Sequence, residues 1–488
     1  MLFEPLFAHA KDQPQELAVI DDRGQYTYQQ LAAMSAGLGM YLSFQTKKPR
    51  VGILLPASAA FAASFYGTLL AGKSVVPINF LLGDREIAHV IADSEIDTVV
   101  TIPQLAGKLK DERLKIVDLM QLPQTPPMSI TPKFPSVTAG DLAVLMYTSG
   151  TSGLPKGVML TYGNIQSDVN AAIEAAQLQH RHKFLGVIPL FHAFGMTAMM
   201  LAPIQLGSTV IYTARFSPVA ALNAIKEHGV SLMFGVPSMF GAIAHLKNAS
   251  AQDFKTIYAL ISGGEPLPHA LREGFKKRFD TTIYEGYGLT ETAAVATLNA
   301  PQDSRPGSVG KPVPGLQIKI AGDDGNALPQ GQTGEVWLKG PMIMQGYFNL
   351  PDETAAALTG DGFFKTGDLG HVDKDGFLFI TGRKKDLIII AGEKAAPREI
   401  EEMLMRHPTV AEAAVIGRKD PSRGEAIVAF VTARENQKPE ERALRDFCRE
   451  QGLMQWKIPK EIRVVDDLPR SPTGKVLKRV LAEQLDAK

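Results

Sequence analysis

Cysteine is almost missing: Cys448 is the only one among 488 residues. One thiol makes neither an intramolecular disulfide nor a zinc cluster. A disulfide-stapled scaffold and a cysteine-built zinc domain are both excluded, and a reducing compartment fits. No neighbouring residue marks Cys448 as a nucleophile. An excess of charge is missing too, because 51 Lys and Arg balance 51 Asp and Glu. That balance removes the electrostatic case for a nucleic-acid partner or an anionic membrane surface, and leaves room for a local basic patch around a phosphate. Uninterrupted apolar runs of membrane-spanning length are also lacking. Residues 51–72 and 193–214 carry no charge, but Pro56, Ser58, Ser64 and Gly67 break the first, and Pro203, Gly207 and Ser208 break the second. Each reads as a buried strand and helix joined by a turn. The first seven residues hold Glu4 and no basic residue, so they do not read as a secretory signal. A cytoplasmic protein without a transmembrane segment is expected.

What is present is apolar material for a large core, with 45% hydrophobic and 21% charged residues, in a length that suits roughly two to four domain-sized units. Short apolar runs at 51–55, 74–77, 98–102, 187–189, 209–212, 232–234 and 259–262 read as strands. Helix-like stretches at 61–70, 218–228 and 268–279 lie between them. Such alternation predicts α/β layers around mainly parallel sheets. The proline-rich stretch 122–135 reads as a surface connection. From about residue 316 the texture changes. Strand-like runs at 316–320, 334–339 and 377–381, beside the turn signals Asp324-Gly325 and Asp375-Gly376, predict an appended antiparallel unit. After Gly382 a smaller region follows, with a helix opened by Pro397 and strands at 413–417 and 427–432. A domain boundary is expected near Lys385.

Several clusters could carry chemistry. Residues 147–158 read Tyr-Thr-Ser-Gly-Thr-Ser-Gly-Leu-Pro-Lys-Gly-Val and follow a strand-like run at 142–146. Small and hydroxyl residues let backbone N–H groups converge on an anion, and Lys156 adds positive charge. This is not a Walker A loop, because Gly157 follows the lysine where that motif has Ser or Thr. Residues 284–292 read Tyr-Glu-Gly-Tyr-Gly-Leu-Thr-Glu-Thr. Tyr287 offers a flat face for a base, Thr290 a hydroxyl for a phosphate, and Glu291 a hard oxygen for Mg²⁺. Taken alone, a Thr-Glu pair is equally a helix cap. Asp368, in Lys365-Thr-Gly-Asp, could accept ribose hydroxyls from a Gly turn. The run Gly382-Arg-Lys-Lys-Asp, followed by an apolar strand and Ala391-Gly392-Glu393, suits a hinge. Lys475 follows Gly474 on an expected surface loop.

In their order along the chain, and together with Ser-Gly-Gly-Glu-Pro-Leu at 262–267, these motifs resemble the adenylate-forming superfamily. That superfamily includes acyl-CoA synthetases, non-ribosomal peptide adenylation domains and firefly luciferases. The resemblance runs from Tyr26 to Lys475. It implies a large N-terminal AMP-binding domain, residues 1–382, of layered α/β subdomains plus a small β-barrel-like part. A hinge at 383–385 and a small mobile α+β C-terminal domain, residues 386–488, would follow. It implies that Thr148, Ser149, Gly150, Thr151, Ser152 and Lys156 hold the ATP phosphates. Gly264, Glu265 and Pro266 would line the adenine pocket, beside Glu285, Gly286 and a stacking Tyr287. Thr290 would contact the α-phosphate, Glu291 the Mg²⁺, and Asp368 with Arg383 the ribose. Lys385 would be the hinge residue, Lys475 the adenylation lysine, Gly392 part of the thiol-transfer face, and His192 an aromatic gate at the acyl site. Ser152 stands where the family often has Thr, and Ala395-Ala396 where larger apolar residues are common near the pantetheine channel.

The implied reaction is ATP-dependent conversion of a carboxylic acid to acyl-AMP, then transfer to coenzyme A. The acyl site is expected near residues 192–196, 234–239 and 293–297, which hold no acidic residue to pair an ammonium and no Lys or Arg to pair a second carboxylate. A medium- or long-chain fatty acid is the first expectation and an aryl acid the second. A stand-alone enzyme loading a carrier protein, a luciferase-like oxygenase and a non-catalytic nucleotide binder are the other classes. The residues carry no signal for oligomeric state.

Overall fold

In the computed structural model, residues 1–122, 133–148, 154–213, 215–470 and 476–486 are described. Contacts group the chain into two units. The larger comprises residues 1–267, 271–318 and 338–364; the smaller comprises 268–270, 319–337 and 365–488.

The larger unit holds two sheets. One runs Gly346–Tyr347, Lys156–Thr161, Leu142–Thr148, Ser74–Pro77, Arg50–Leu54, Thr98–Thr101, Lys115–Asp118. Its last five strands are parallel and its first two antiparallel to their neighbours. The other has six adjacent parallel strands: Ile283–Tyr287, Ala259–Ser262, Leu232–Gly235, Lys183–Gly186, Thr209–Tyr212 and Leu17–Asp21. Short antiparallel strands flank it, Thr297–Leu298 and Lys311–Pro312 on one side and Gly24–Thr27 on the other. Strands buried on both faces have no reason to alternate, which is why they read as continuous apolar runs.

The two charge-free stretches are a buried strand and helix each. Residues 51–72 give most of Arg50–Leu54 and all of the helix Ala59–Leu70. That helix crosses Tyr28–Gln45 at Gly67 and Gly39. A Cβ on Gly39 would stand 2.9 Å from the Gly67 carbonyl oxygen, so the crossing requires glycine. Residues 193–214 give the helical run Ala193–Met196, Thr197–Leu201 and Ala202–Leu206, its middle turn π-helical, then the strand Thr209–Tyr212. Among the described residues no helix is long and apolar enough to cross a membrane.

One expected strand is corrected. Residues 187–189 lie outside the sheet, whose strand here is Lys183–Gly186. Val187 and Ile188 are apolar because they are buried, each 5% exposed, rather than because they pair. Pro189 has no N–H to donate, and its carbonyl accepts the His192 amide instead.

The expected antiparallel part, most of it in the smaller unit, is a four-stranded sheet, ordered Gln317–Ala321, Gly334–Lys339, Phe364–Val372, Leu378–Arg383. The Thr-Gly-Asp segment, expected as a turn, is part of the strand Phe364–Val372. Asp368 lies opposite Arg383 there, and an irregularity between Leu369 and Gly370 breaks the register. A five-stranded sheet follows, in the order Glu393–Ala395, Ile388–Ile390, Gly424–Ala433, Val410–Asp420, with Glu461–Val464 also paired to Gly424–Ala433. Its long strands alternate cleanly. Val415, Ile427, Ala429 and Val431 join a core with Ile400, Leu404, Leu444 and Cys448. Ala414, Ile416, Val428 and Phe430 face Leu468, Leu481 and Leu485. A period of two with both faces covered is what fixes strand register. Cys448 is part of the first core, and burial pushes its thiol up to about 11, in keeping with its lack of a nucleophile's surroundings.

Candidate active site

The hydroxyl- and glycine-rich motif is carried by two antiparallel strands, Leu142–Thr148 and Lys156–Thr161, with Thr148 opposite Lys156. Ser149, Gly150, Thr151 and Ser152 lie outside the described residues, as does Lys475. Both flanks of the motif are tied to the helix Asp84–Asp93: the Tyr147 hydroxyl donates to the Asp93 carboxylate at 2.6 Å, and His89 Nε2 lies 3.0 Å from the Pro155 carbonyl oxygen. The Lys156 ammonium pairs with the Glu353 carboxylate and sits 5.8 Å from the centroid of the Tyr347 ring.

Tyr347 joins Lys156 to Glu291. Its hydroxyl donates to the Glu291 carboxylate at 2.8 Å. Burial, then the Glu291 charge, raises the phenol's pKa, so it remains a donor. Glu291 belongs to the short 3-10 turn Thr290–Thr292 that follows the strand Ile283–Tyr287. The turn is held by the Thr292 hydroxyl, which accepts the Leu289 amide at 3.0 Å, and by the Met344 amide, which donates to the Glu291 carbonyl at 2.8 Å. The capping side chain is thus Thr292, and Glu291 is left to present its carboxylate. Gly288 precedes the turn where a Cβ would come within 1.8 Å of the Ala294 carbonyl oxygen, so no other residue fits. Among the described residues no cluster of three or more His, Cys, Asp or Glu could hold a metal ion. A single half-buried carboxylate fits Mg²⁺ that takes its other ligands from phosphates and water.

The Glu285 carboxylate accepts the Leu267 amide at 3.0 Å and lies 3.7 Å from the Arg272 guanidinium. It therefore anchors the segment of Gly264, Glu265 and Pro266, which follows the strand Ala259–Ser262. Gly264 and Pro266 are exposed and Glu265 half-buried. Gly286 and Tyr287 end their strand opposite Leu298 and Thr297, with the Tyr287 ring half-buried.

His192 precedes the helix Ala193–Met196. Its Nε2 is buried without a partner, its ring packs 4.7 Å from Phe191, and burial pushes its pKa down to about 4, so it is neutral. Two residues on, Phe194 meets Phe234 edge-on at 6.0 Å.

In the smaller unit Asp368 is 3% exposed, and its carboxylate accepts Arg383 Nε at 2.8 Å. Lys385 is exposed on the 3-10 turn Lys384–Asp386, where Lys384 pairs with Glu335 at 3.0 Å. Gly392 sits with Ala391 in the two-residue loop between Ile388–Ile390 and Glu393–Ala395.

These observations can be set beside known proteins. The family model described as AMP-binding enzyme matches residues 6–348, and its C-terminal domain model matches 399–475. The chain belongs to the AMP-binding enzyme family. A sulfoacetate–CoA ligase of Cupriavidus necator is 38% identical over 457 residues, 91% of this chain and 87% of that protein. A long-chain-fatty-acid–CoA ligase of Bacillus subtilis is 33% identical over 90% of this chain and 86% of its own length. The structure of an o-succinylbenzoate CoA synthetase from Bacillus subtilis, in complex with its acyl-adenylate intermediate, superposes with a TM-score of 0.87 at 30% identity, covering 98% of this chain and 97% of that one. The chain is thus an acyl-CoA synthetase of the adenylate-forming superfamily, an AMP-forming acid–thiol ligase with ATP and CoA as co-substrates.

Two residues of this AMP-binding enzyme escaped the sequence analysis. Tyr347 reaches Glu291 from 56 positions along the chain, and only the pairing of Gly346–Tyr347 with Lys156–Thr161 brings it there. Asp168 meets the 293–297 segment from a helix 127 positions away, at Val295, so that segment has an acidic neighbour after all. No local pattern signals either one.

Proposed function

We propose that this ligase activates an apolar carboxylic acid, first of all a medium- or long-chain fatty acid, within the larger unit around Lys156, Tyr347 and Glu291. The observation that carries the reading is that cluster, which sets a cation and a hard carboxylate beside a hydroxyl-rich motif. A carboxylate and the α-phosphate of ATP repel each other, so the barrier to in-line attack is largely electrostatic. Lys475 would neutralise the attacking carboxylate and the α-phosphate, and Lys156 the departing pyrophosphate. Charges so placed contribute about 3–4 kcal/mol each, by analogy with removed oxyanion donors. Mg²⁺ held by Glu291 would supply further charge neutralisation on the phosphates. Thr148 and the residues 149–152 would orient the triphosphate, Thr290 the α-phosphate, Asp368 with Arg383 the ribose, and Tyr287 with residues 264–266 the adenine. The C-terminal part, beyond a hinge at 383–385, would then present Gly392 to the thiol step.

The acid is argued from the segments expected to line its site. Residues 192–196, 234–239 and 293–297 bring no Lys or Arg that would pair a sulfonate or second carboxylate. The edge-on pair of Phe194 and Phe234 favours an aryl acid as the second reading. His192, neutral and next to Phe191, suits a gate that tolerates either. A cytoplasmic location, expected from the single cysteine, is part of the same proposal. The test is a panel of acids (decanoate, palmitate, ferulate, sulfoacetate) with ATP, Mg²⁺ and CoA, reading AMP. Highest kcat/KM on an alkyl acid supports the proposal; preference for sulfoacetate overturns it.

A further inference from the structure

One helix of the larger unit grips the backbone on both sides of Glu291. Tyr162–Ala175 follows directly on the strand Lys156–Thr161 and is capped by the Thr161 hydroxyl. From its first turn, Asn164 Nδ2 donates to the carbonyls of Pro341 and Ile343, each at 2.8 Å. The next residue, Met344, donates its amide to the Glu291 carbonyl. One turn further on, Asp168 Oδ1 accepts the Val295 amide at 3.1 Å. Asp168 is 0% exposed, and its second oxygen has no partner.

The segment that Asp168 holds is tied by backbone bonds on either side of Val295: the Ala293 amide donates to the Thr290 carbonyl at 3.0 Å and the Ala296 amide to the Tyr287 carbonyl at 2.8 Å, while the Val295 amide relies on a side chain. Ala293 has φ of 60°, a left-handed conformation in which a Cβ is strained. Two side chains add to those backbone bonds. The buried Thr197 hydroxyl, in the π-helical turn Thr197–Leu201, donates to the Ala293 carbonyl at 3.1 Å, and Asp168 holds the Val295 amide. Neither grip involves the nucleotide motifs, and nothing in the proposed chemistry uses Asp168.

We infer that Asp168 is a positioning residue for acid recognition: its hydrogen bond to Val295, with that of Thr197 to Ala293, fixes the wall formed by residues 293–297. The inference rests on the reading that this segment faces the acyl group. Burial raises the carboxyl pKa, opposed only by the Val295 amide, which favours the uncharged form of the side chain.

The test compares Asp168→Asn, Asp168→Ala and Thr197→Val in the intact enzyme, using decanoate and ferulate with saturating CoA. Asp168→Asn keeps an acceptor oxygen and is expected to hold both acid KM values within about threefold of wild type. Asp168→Ala leaves a buried N–H unpaired, and is expected to raise the acid KM about tenfold, to change the decanoate-to-ferulate kcat/KM ratio, and to leave the ATP KM within about twofold. A merely structural role would lower the melting temperature and the active fraction but leave KM values and the ratio unchanged, and that result overturns the inference. Loss in Asp168→Asn equal to that in Asp168→Ala also overturns it. If Asp168→Ala does not fold, Thr197→Val decides: a raised acid KM supports the inference and an unchanged one removes it. Val295→Phe, which keeps the amide but enlarges the side chain, tests the underlying reading separately. If it changes acid preference while Asp168→Ala and Thr197→Val do not, the positioning role alone fails. If all three leave preference unchanged, the segment does not line the acyl site.

Discussion

Replacing Tyr347 by phenylalanine removes one oxygen and leaves the ring over Lys156 in place. What is lost is a 2.8 Å hydrogen bond from the phenol to the Glu291 carboxylate. A bond to a charged acceptor contributes about 1.5–3 kcal/mol when fully buried. Both side chains are half-buried, so water replaces part of it, and about 1–2 kcal/mol is the fitting range. At about 1.4 kcal/mol per factor of ten, that is roughly 5- to 30-fold. The effect belongs in Mg²⁺ use, because a hydrogen-bonded partner orients a metal-binding carboxylate. The assay is acid-dependent ATP–pyrophosphate exchange, measured against Mg²⁺ concentration at fixed ATP. Tyr347→Phe should raise the half-saturating Mg²⁺ by that factor and recover to within about threefold of wild type at high Mg²⁺. An unchanged Mg²⁺ dependence, or an equal loss of rate at every concentration, would refute the link from Tyr347 through Glu291 to the metal.

Three further outcomes are expected. The pKa of Asp168 is raised by burial, so the native state holds a proton that the unfolded chain gives up above about pH 3.9; wild-type stability therefore falls as pH rises, by about 1.4 kcal/mol per unit, until the folded pKa is passed. Denaturant unfolding of Asp168→Asn should lack that slope, the two proteins converging near pH 4, and parallel curves would contradict a buried protonated carboxyl. His192 runs the other way: its pKa is lowered to about 4, so the stability of the neutral ring is lost as pH falls from about 6.5 toward 4, at most about 3 kcal/mol, and His192→Phe should be less acid-labile over that window. Glu353→Gln frees the Lys156 ammonium from its ion partner, and since both groups are partly exposed, the ATP KM should fall only about two- to fivefold in steady-state assays.

The α/β layering was legible because strands buried on both faces and the amphipathic elements between them leave different apolar patterns. The C-terminal sheet was legible for the same reason, because 413–417 and 427–432 are short apolar runs whose two faces pack into separate cores. Where apolarity meant burial without pairing, as at 187–189, the same signal misled. Two strands were hidden by their motif residues: Lys156–Thr161 begins inside the Gly- and hydroxyl-rich motif, and Phe364–Val372 contains the Thr-Gly-Asp expected as a turn, whose Gly367 takes a φ of +72° inside the sheet. At the candidate site the motifs marked Lys156, Glu291 and Asp368 from their chemistry and order. Tyr347 and Asp168 stayed invisible because their partners are set by strand pairing and helix packing far along the chain, not by local spacing.

The central claim, that the acid is activated on AMP before any thiol takes part, is tested most directly by exchange of labelled pyrophosphate into ATP without CoA, with wild type and Lys475→Ala side by side. Exchange that requires the acid, occurs without CoA and vanishes in Lys475→Ala is the predicted result. Exchange without acid, release of ADP in place of AMP, or full exchange by Lys475→Ala would contradict it.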